Sequence, residues 1–224
     1  MTLELLDTQL AEKERYGVYP YAFNKSLFPD NMLEKLYYHL QDDGIYREVM
    51  HERALGKAEF VEFMGMYPHT ILSICVDAKT NEYHGFCWVN EINHTDSMLK
   101  GCGSFAFFRK YWNRNITERF GMVGVSQWFR FPWKLLLQGD EFDAQNMPTD
   151  MGFDLIFGMT PKPNLLAQRY SRNLGFRYEA TIPGFTTYHG ETVDGLVATQ
   201  TKEQFKEAEE KYLVNLAKGG NDGR

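Results

Sequence analysis

Four basic side chains, Arg109, Lys110, Arg114 and Arg119, fall in a stretch that holds a single acid, Glu118. The chain as a whole has a formal net charge of -6. Against that background the cluster marks a place where an anion such as a phosphate would be held, because charge-assisted contacts to phosphate are strong. A solvated basic face at a helix start is the other reading. The histidines carry no comparable signal. His39, His51, His69, His84 and His189 are scattered, with no helical metal-ligand spacing and no cysteine beside them in a zinc pattern. No metal is expected. Cys75, Cys87 and Cys102 lie in or beside strand-like apolar runs and read as buried, reduced thiols. There is no Gly-x-Ser-x-Gly elbow, phosphate-binding Walker loop or dinucleotide fingerprint. Gly101-Cys102-Gly103 is only a fragment of the last, inside a strand.

The elements that must position these residues can be read from periodicity. Asp154-Leu155-Ile156-Phe157 is an apolar run of strand length, bounded by Gly158 and then by Pro161 and Pro163. Asn164 stands where a helix cap belongs. Leu166, Ala167, Tyr170 and Leu174 form one helical stripe, and Gly175 supplies the stop. Upstream, the pattern predicts a strand over 18–23, a helix opened by Pro29-Asp30 and closed at Asp43-Gly44, and a second helix from Lys57 to Tyr67. Strands follow at 70–76, 83–92 and 98–108, then a helix over 116–131 capped by Asn115 or Thr117. Downstream come a strand from Phe176 to Ile182, a turn at Pro183-Gly184, one or two strands to Thr199, and a charged helix from Lys202 to Leu216 with a solvated face.

The 224 residues suit one large domain. Residues 1–17 read as a polar leader, 18–200 as the domain with an insertion at about 132–153, and 201–224 as a charged helix and tail. The negative charge argues against general nucleic-acid binding. No apolar run approaches a membrane span, and the first residues are too charged for a signal peptide. A cytoplasmic protein without membrane partners is expected. A protein partner would dock through the leader or the 132–153 loop.

Asn164, Ala167, Gly175 and Phe176 resemble the last conserved motif of the GNAT acyl-CoA N-acyltransferases. The order strand, two helices, three strands, helix, strand, helix, strands is also similar to theirs. The resemblance implies an α+β fold with a mixed, mainly antiparallel twisted sheet and helices on both faces. It implies that two neighbouring parallel strands, near 104–108 and 154–159, part to admit a thioester. Acetyl-CoA would be the co-substrate and an amine, of a small molecule or a protein, the acceptor. The chain is similar in style to GNAT-like proteins encoded by bacteriophages, which would place it in host cytoplasm or in a virion.

In that family the CoA pyrophosphate rests on backbone amides of a glycine-containing loop and on a helix N-terminus. The corresponding stretch here, Phe108 to Ile116, lacks the family's small residues and carries Tyr111, Trp112 and Arg114 instead. The resemblance assigns cofactor contacts to the backbone near Phe107, to Arg109, Arg114, Asn115 and Thr117, and to Asn164 and Ala167. Side-chain cations would replace missing backbone donors. Acyl transfer needs a base for the ammonium and an acid for the thiolate. Location suggests Glu91 as base, then His94, whose unperturbed pKa lies near neutrality. The position of the family's acid, often a tyrosine, is held by Ser171. A second reading follows from the missing glycines and from Ser171: a GNAT-fold protein without catalysis, serving as a binding or structural component, for example in a phage particle.

Overall fold

A computed structural model of the chain describes residues 15–50, 56–95, 98–138 and 151–218. The leader up to residue 14, residues 139–150 of the expected insertion and the tail from 219 lie outside the described residues. The elements in chain order are β1 (Tyr16–Pro20), α1 (Met32–Asp42), α2 (Tyr46–Met50), α3 (Lys57–Gly65), β2 (Ile71–Asp77), β3 (Glu82–Thr95) and β4 (Met98–Phe107). They continue with α4 (Arg114–Arg130), α5 (Trp133–Gln138), β5 (Leu155–Pro161), α6 (Leu165–Asn173), β6 (Arg177–Tyr188), β7 (Glu191–Thr201) and α7 (Lys202–Ala217).

The strands form one seven-stranded sheet in the order β1-β2-β3-β4-β5-β7-β6. All neighbours are antiparallel except β4 and β5, which are parallel. Side chains alternate across the sheet, as the two-residue period of a strand requires. On β3, Phe86 and Trp88 face a core with Leu36 and Leu40 of α1 and Phe60 and Met64 of α3. Cys87 and Val89 face the opposite core, with Phe120, Val125 and Trp128 of α4, Leu174, and Phe205 of α7. Burial on both faces explains why β2 and the first half of β3 read as near-continuous apolar runs.

Four expectations about elements are corrected. β6 runs straight through Pro183-Gly184, which shift the pairing register between Ile182 and Thr186, so the hairpin turn falls at His189-Gly190 instead (φ 51° and 85°). The helix start expected at Asn115 or Thr117 is capped by Asn113, whose side chain accepts from the Asn115 amide at 3.0 Å. Leu166, read as part of the buried stripe of α6, is 73% exposed; the packed members are Tyr170 and Leu174. The last helix, read as a solvated surface element, docks by burying Phe205 and Leu213. Thr201 caps it with a reciprocal capping box to Gln204.

Candidate functional site

The site begins where a pair of strands stops pairing. β4 and β5 are in register at only three positions, Lys100 with Leu155, Gly101 with Ile156 and Cys102 with Phe157. Both strands continue beyond that point. β4 stays bonded to β3 as far as Phe107, and β5 stays bonded to β7 as far as Pro161. Their facing edges therefore part after Cys102 and Phe157. The apex is made of glycines: a Cβ placed on Gly158 would stand 3.0 Å from the Gly103 carbonyl oxygen, so any side chain there forces the backbones apart.

α6 lies across this gap. Asn164 caps it, its side chain accepting from the Ala167 amide at 3.0 Å, and Gly175 ends it at φ +95°, a backbone state that L side chains rarely adopt. On the β4 side, Tyr170 packs edge-on against Phe105 and Phe107 and donates its hydroxyl to the Thr117 carbonyl at 3.2 Å. Burial pushes its phenol well above the usual range, so Tyr170 is held neutral and committed to α4. On the β5 side a chain of hydroxyls converges. Ser171 Oγ lies 2.7 Å from Tyr178 Oη, and Tyr178 donates to Thr160 Oγ1 at 3.2 Å. Ala198 stands between Tyr178 and Gly158 in the register, and its small side chain lets the Tyr178 ring reach across β7.

At the apex level, β3 carries a bulge. The register shifts between Asn90 and Asn93, and Glu91 sits there at φ +52°. A non-glycine residue in the left-handed region is costly and persists only where its surroundings impose it. Bulges re-aim side chains. Asn90 Nδ2 donates to Glu91 Oε1 at 3.3 Å. Among the described residues, the buried Asn90 Oδ1 and the buried Trp88 Nε1 have no partner. Both belong to the face covered by α1 and α3. His94 lies farther along β3, opposite Leu99.

The loop after β4 is closed on itself. The amides of Tyr111, Trp112 and Asn113 donate to the carbonyls of Phe108, Arg109 and Tyr111. The Trp112 indole donates to the Phe107 carbonyl at 2.6 Å, and Tyr111 stacks on His84 at 3.9 Å. Burial first, with help from Lys110 and Arg15, lowers the His84 pKa despite Asp77 and Glu82 nearby. The Arg109 amide donates to Asp43 at 2.6 Å and its guanidinium lies over Trp112. Thr117 Oγ1 bonds back to the carbonyls of Asn113 and Arg114. Arg114 and Asn115 instead line a groove between α4, the end of α6 and α7. The sequence-predicted cofactor residues thus divide. Asn164, Ala167 and the Phe107 backbone belong to the gap, Arg114 and Asn115 to the groove, while Arg109 and Thr117 are engaged within the loop and first turn.

No family model matches the sequence, and no curated protein matches it. Solved structures do match the fold. Spermidine N-acetyltransferase from Vibrio cholerae, in complex with CoA and spermine, is similar with a TM-score of 0.60 at 11% identity, over 86% of this chain and 98% of that one. RimJ of Mycobacterium smegmatis, in complex with CoA-disulfide, gives 0.63 at 11% identity over 91% and 89%. The ribosomal-protein-S5-alanine acetyltransferase of Vibrio fischeri gives 0.58 at 12% identity over 86% and 96%. The chain has the GNAT acyl-CoA N-acyltransferase fold. At these identities the likeness speaks of architecture: a mixed sheet, helices on both faces, and one parallel pair within it.

Within that GNAT fold, residues that sequence reasoning missed are Tyr178 and Thr160, brought to Ser171 from two other strands, and Asn90, made visible only by its burial. Among the described residues there is no group of three or more His, Cys, Asp or Glu side chains that could hold a metal, and no helix is long and apolar enough to cross a membrane. The chain's fit to a CoA arm is good at the gap, where glycine edges and unpaired strand backbone face one another. It is poor at the loop, where the amides that would hold a pyrophosphate are already used.

Proposed function

We propose that the chain is an acyl-CoA-dependent N-acyltransferase that passes an acetyl group directly from acetyl-CoA to an amine. The observation that carries this reading is the seam that stops at Cys102 and Phe157 while both strands run on. Unpaired strand edges inside a sheet need a partner, because backbone donors and acceptors cannot be left dry. An extended amide-bearing arm is such a partner, with Asn164 and the first turn of α6 beside it.

In this reading Glu91, held at the bulge, takes a proton from the ammonium, with His94 as the second candidate. Asn90, whose amide donates to Glu91, lies on the α1–α3 face, where an amine would arrive. The amine nitrogen attacks the thioester carbonyl, the C–S bond breaks as the tetrahedral intermediate collapses, and the thiolate takes a proton from Ser171. The Tyr178 hydroxyl, 2.7 Å from Ser171 Oγ, turns from Thr160 to restore that proton, and the second proton, shed by the acylated nitrogen, returns through solvent to re-form the phenol. Serine alone is a poor acid; a phenol behind it is a better one. The acceptor is a small-molecule or protein amine.

A second reading has its own support. The closed loop and the Trp112 indole on the Phe107 carbonyl suit a GNAT-fold protein without catalysis that acts as a binding or structural component. Thermal melting with acetyl-CoA separates the two. At a hundred times its dissociation constant a ligand stabilises by ~2.7 kcal/mol, and a rise in melting temperature is expected. An unmoved midpoint at millimolar acetyl-CoA leaves only the second reading.

A further inference from the structure

The groove that Arg114 and Asn115 line has a volume of about 510 Å³ and is bordered on one side by α7. That volume is of the size that holds a small organic ligand. Among the described residues, five cations border it, Arg114, Arg119, Arg172, Arg177 and Lys211, against two acids, Glu118 and Glu207. The excess is positive in a chain that is negative overall. Two of the cations are compensated: Arg114 pairs with Glu118 at 3.6 Å and Arg177 with Glu207 at 3.3 Å. Arg119 is held by the Tyr16 hydroxyl and ring. Arg172 lies over the Tyr178 ring and touches only the neutral Gln168 amide, and among the described residues neither it nor Lys211 is in an ion pair. Unneutralised cations that converge on a cavity of ligand size repel one another unless an anion joins them.

Lys211 comes from α7, which follows the residues on which the sequence resemblance rests. α7 is fixed there by Phe205 stacked on Phe129 at 5.4 Å and by a two-pronged ion pair between Arg130 and Glu209. The groove is therefore a built feature of this chain. It adjoins the first turn of α4, immediately after the loop whose amides are spent internally.

We propose that this groove recognises a ribose-bound phosphate, with Lys211 and Arg172 as its principal contacts. Resting on the acyltransferase reading, its ligand is the 3′-phosphorylated adenosine end of CoA. Phosphate recognition has then passed from a backbone cradle to side chains, one of them on the last helix. A free nucleoside bisphosphate would present the same chemistry.

The test is calorimetric titration of the full chain with CoA, dephospho-CoA and adenosine 3′,5′-bisphosphate, repeated on Lys211→Glu and Arg172→Glu. Both substitutions are at exposed positions, and an unchanged melting temperature without ligand confirms their folding. Wild type is expected to bind CoA about tenfold or more tighter than dephospho-CoA. In each variant that preference should shrink to about twofold or less, with dephospho-CoA affinity unchanged. Equal binding of CoA and dephospho-CoA by wild type overturns the groove and leaves the acyltransferase reading standing. If only adenosine 3′,5′-bisphosphate binds, and the variants lose it, the groove stands as a site for a free nucleotide and the acyltransferase reading falls. Silence with all three probes overturns the groove as well.

Discussion

The β4–β5 seam has two ends that differ in every respect. At the closed end, Asp154 accepts from the Leu99 amide at 2.7 Å and pairs with Lys134 at 2.9 Å and Lys202 at 3.3 Å. One carboxylate thus joins the start of β4, α5 and the start of α7. At the open end there are two glycines, strand edges that do not pair with each other, and neutral hydroxyls. The contrast teaches that this sheet is held shut by charge at one end so that it can stay unpaired at the other.

Breaking the closed end should have the largest effect. Asp154→Ala removes three charge-assisted contacts and leaves Lys202, which is buried, without that carboxylate. A loss of about 2–3 kcal/mol is expected, or a fall in melting temperature of about 4–12 °C for a chain of this size. The same end sets an acid limb. Burial works against ionisation of Asp154, but the Leu99 amide and the two lysines outweigh it and hold its pKa below the usual carboxylate value. Its contribution is therefore complete above about pH 4. It is withdrawn as the pH falls through the lower folded-state value. Denaturant midpoints measured down this range should fall in wild type and stay flatter in Asp154→Ala.

The open end is probed by Gly158→Val. The new Cβ meets the Gly103 carbonyl oxygen at 3.0 Å, and overpacking of this kind costs about 1–3 kcal/mol. The sharper expectation concerns ligand: the acetyl-CoA-dependent rise in melting temperature should vanish, while Asp154→Ala should keep it. Trp112→Phe is the mildest change. It removes the indole donor from the Phe107 carbonyl at a cost of about 1 kcal/mol. It should tighten acetyl-CoA binding about two- to tenfold by freeing that carbonyl. Weaker binding would mean that the indole is part of the site.

Parts of this site were legible because their rules are local. Asn164 and Gly175 delimit α6 as the sequence suggests, since a cap and a left-handed stop depend on a few neighbouring residues. Other signals misled because their meaning depends on distant partners. Pro183-Gly184 reads as a turn, yet β7 carries the strand through it with a shifted register. Leu166 looks inward by spacing, but the helix turns that residue outward. The end of the seam is written nowhere in β4 or β5 alone; it follows from which edges β3 and β7 occupy. The hydroxyl chain of Ser171, Tyr178 and Thr160 needs three elements at once. No spacing rule joins residues on a helix and two strands.

Thr201 ends β7, where it pairs with Leu155, and it also caps α7. Sheet and last helix share a residue, so no linker separates them. The helix is a rigid lever whose fulcrum is the clamped seam. A load applied to its far end, by a fused domain or an anchored partner, would be transmitted into the sheet without slack.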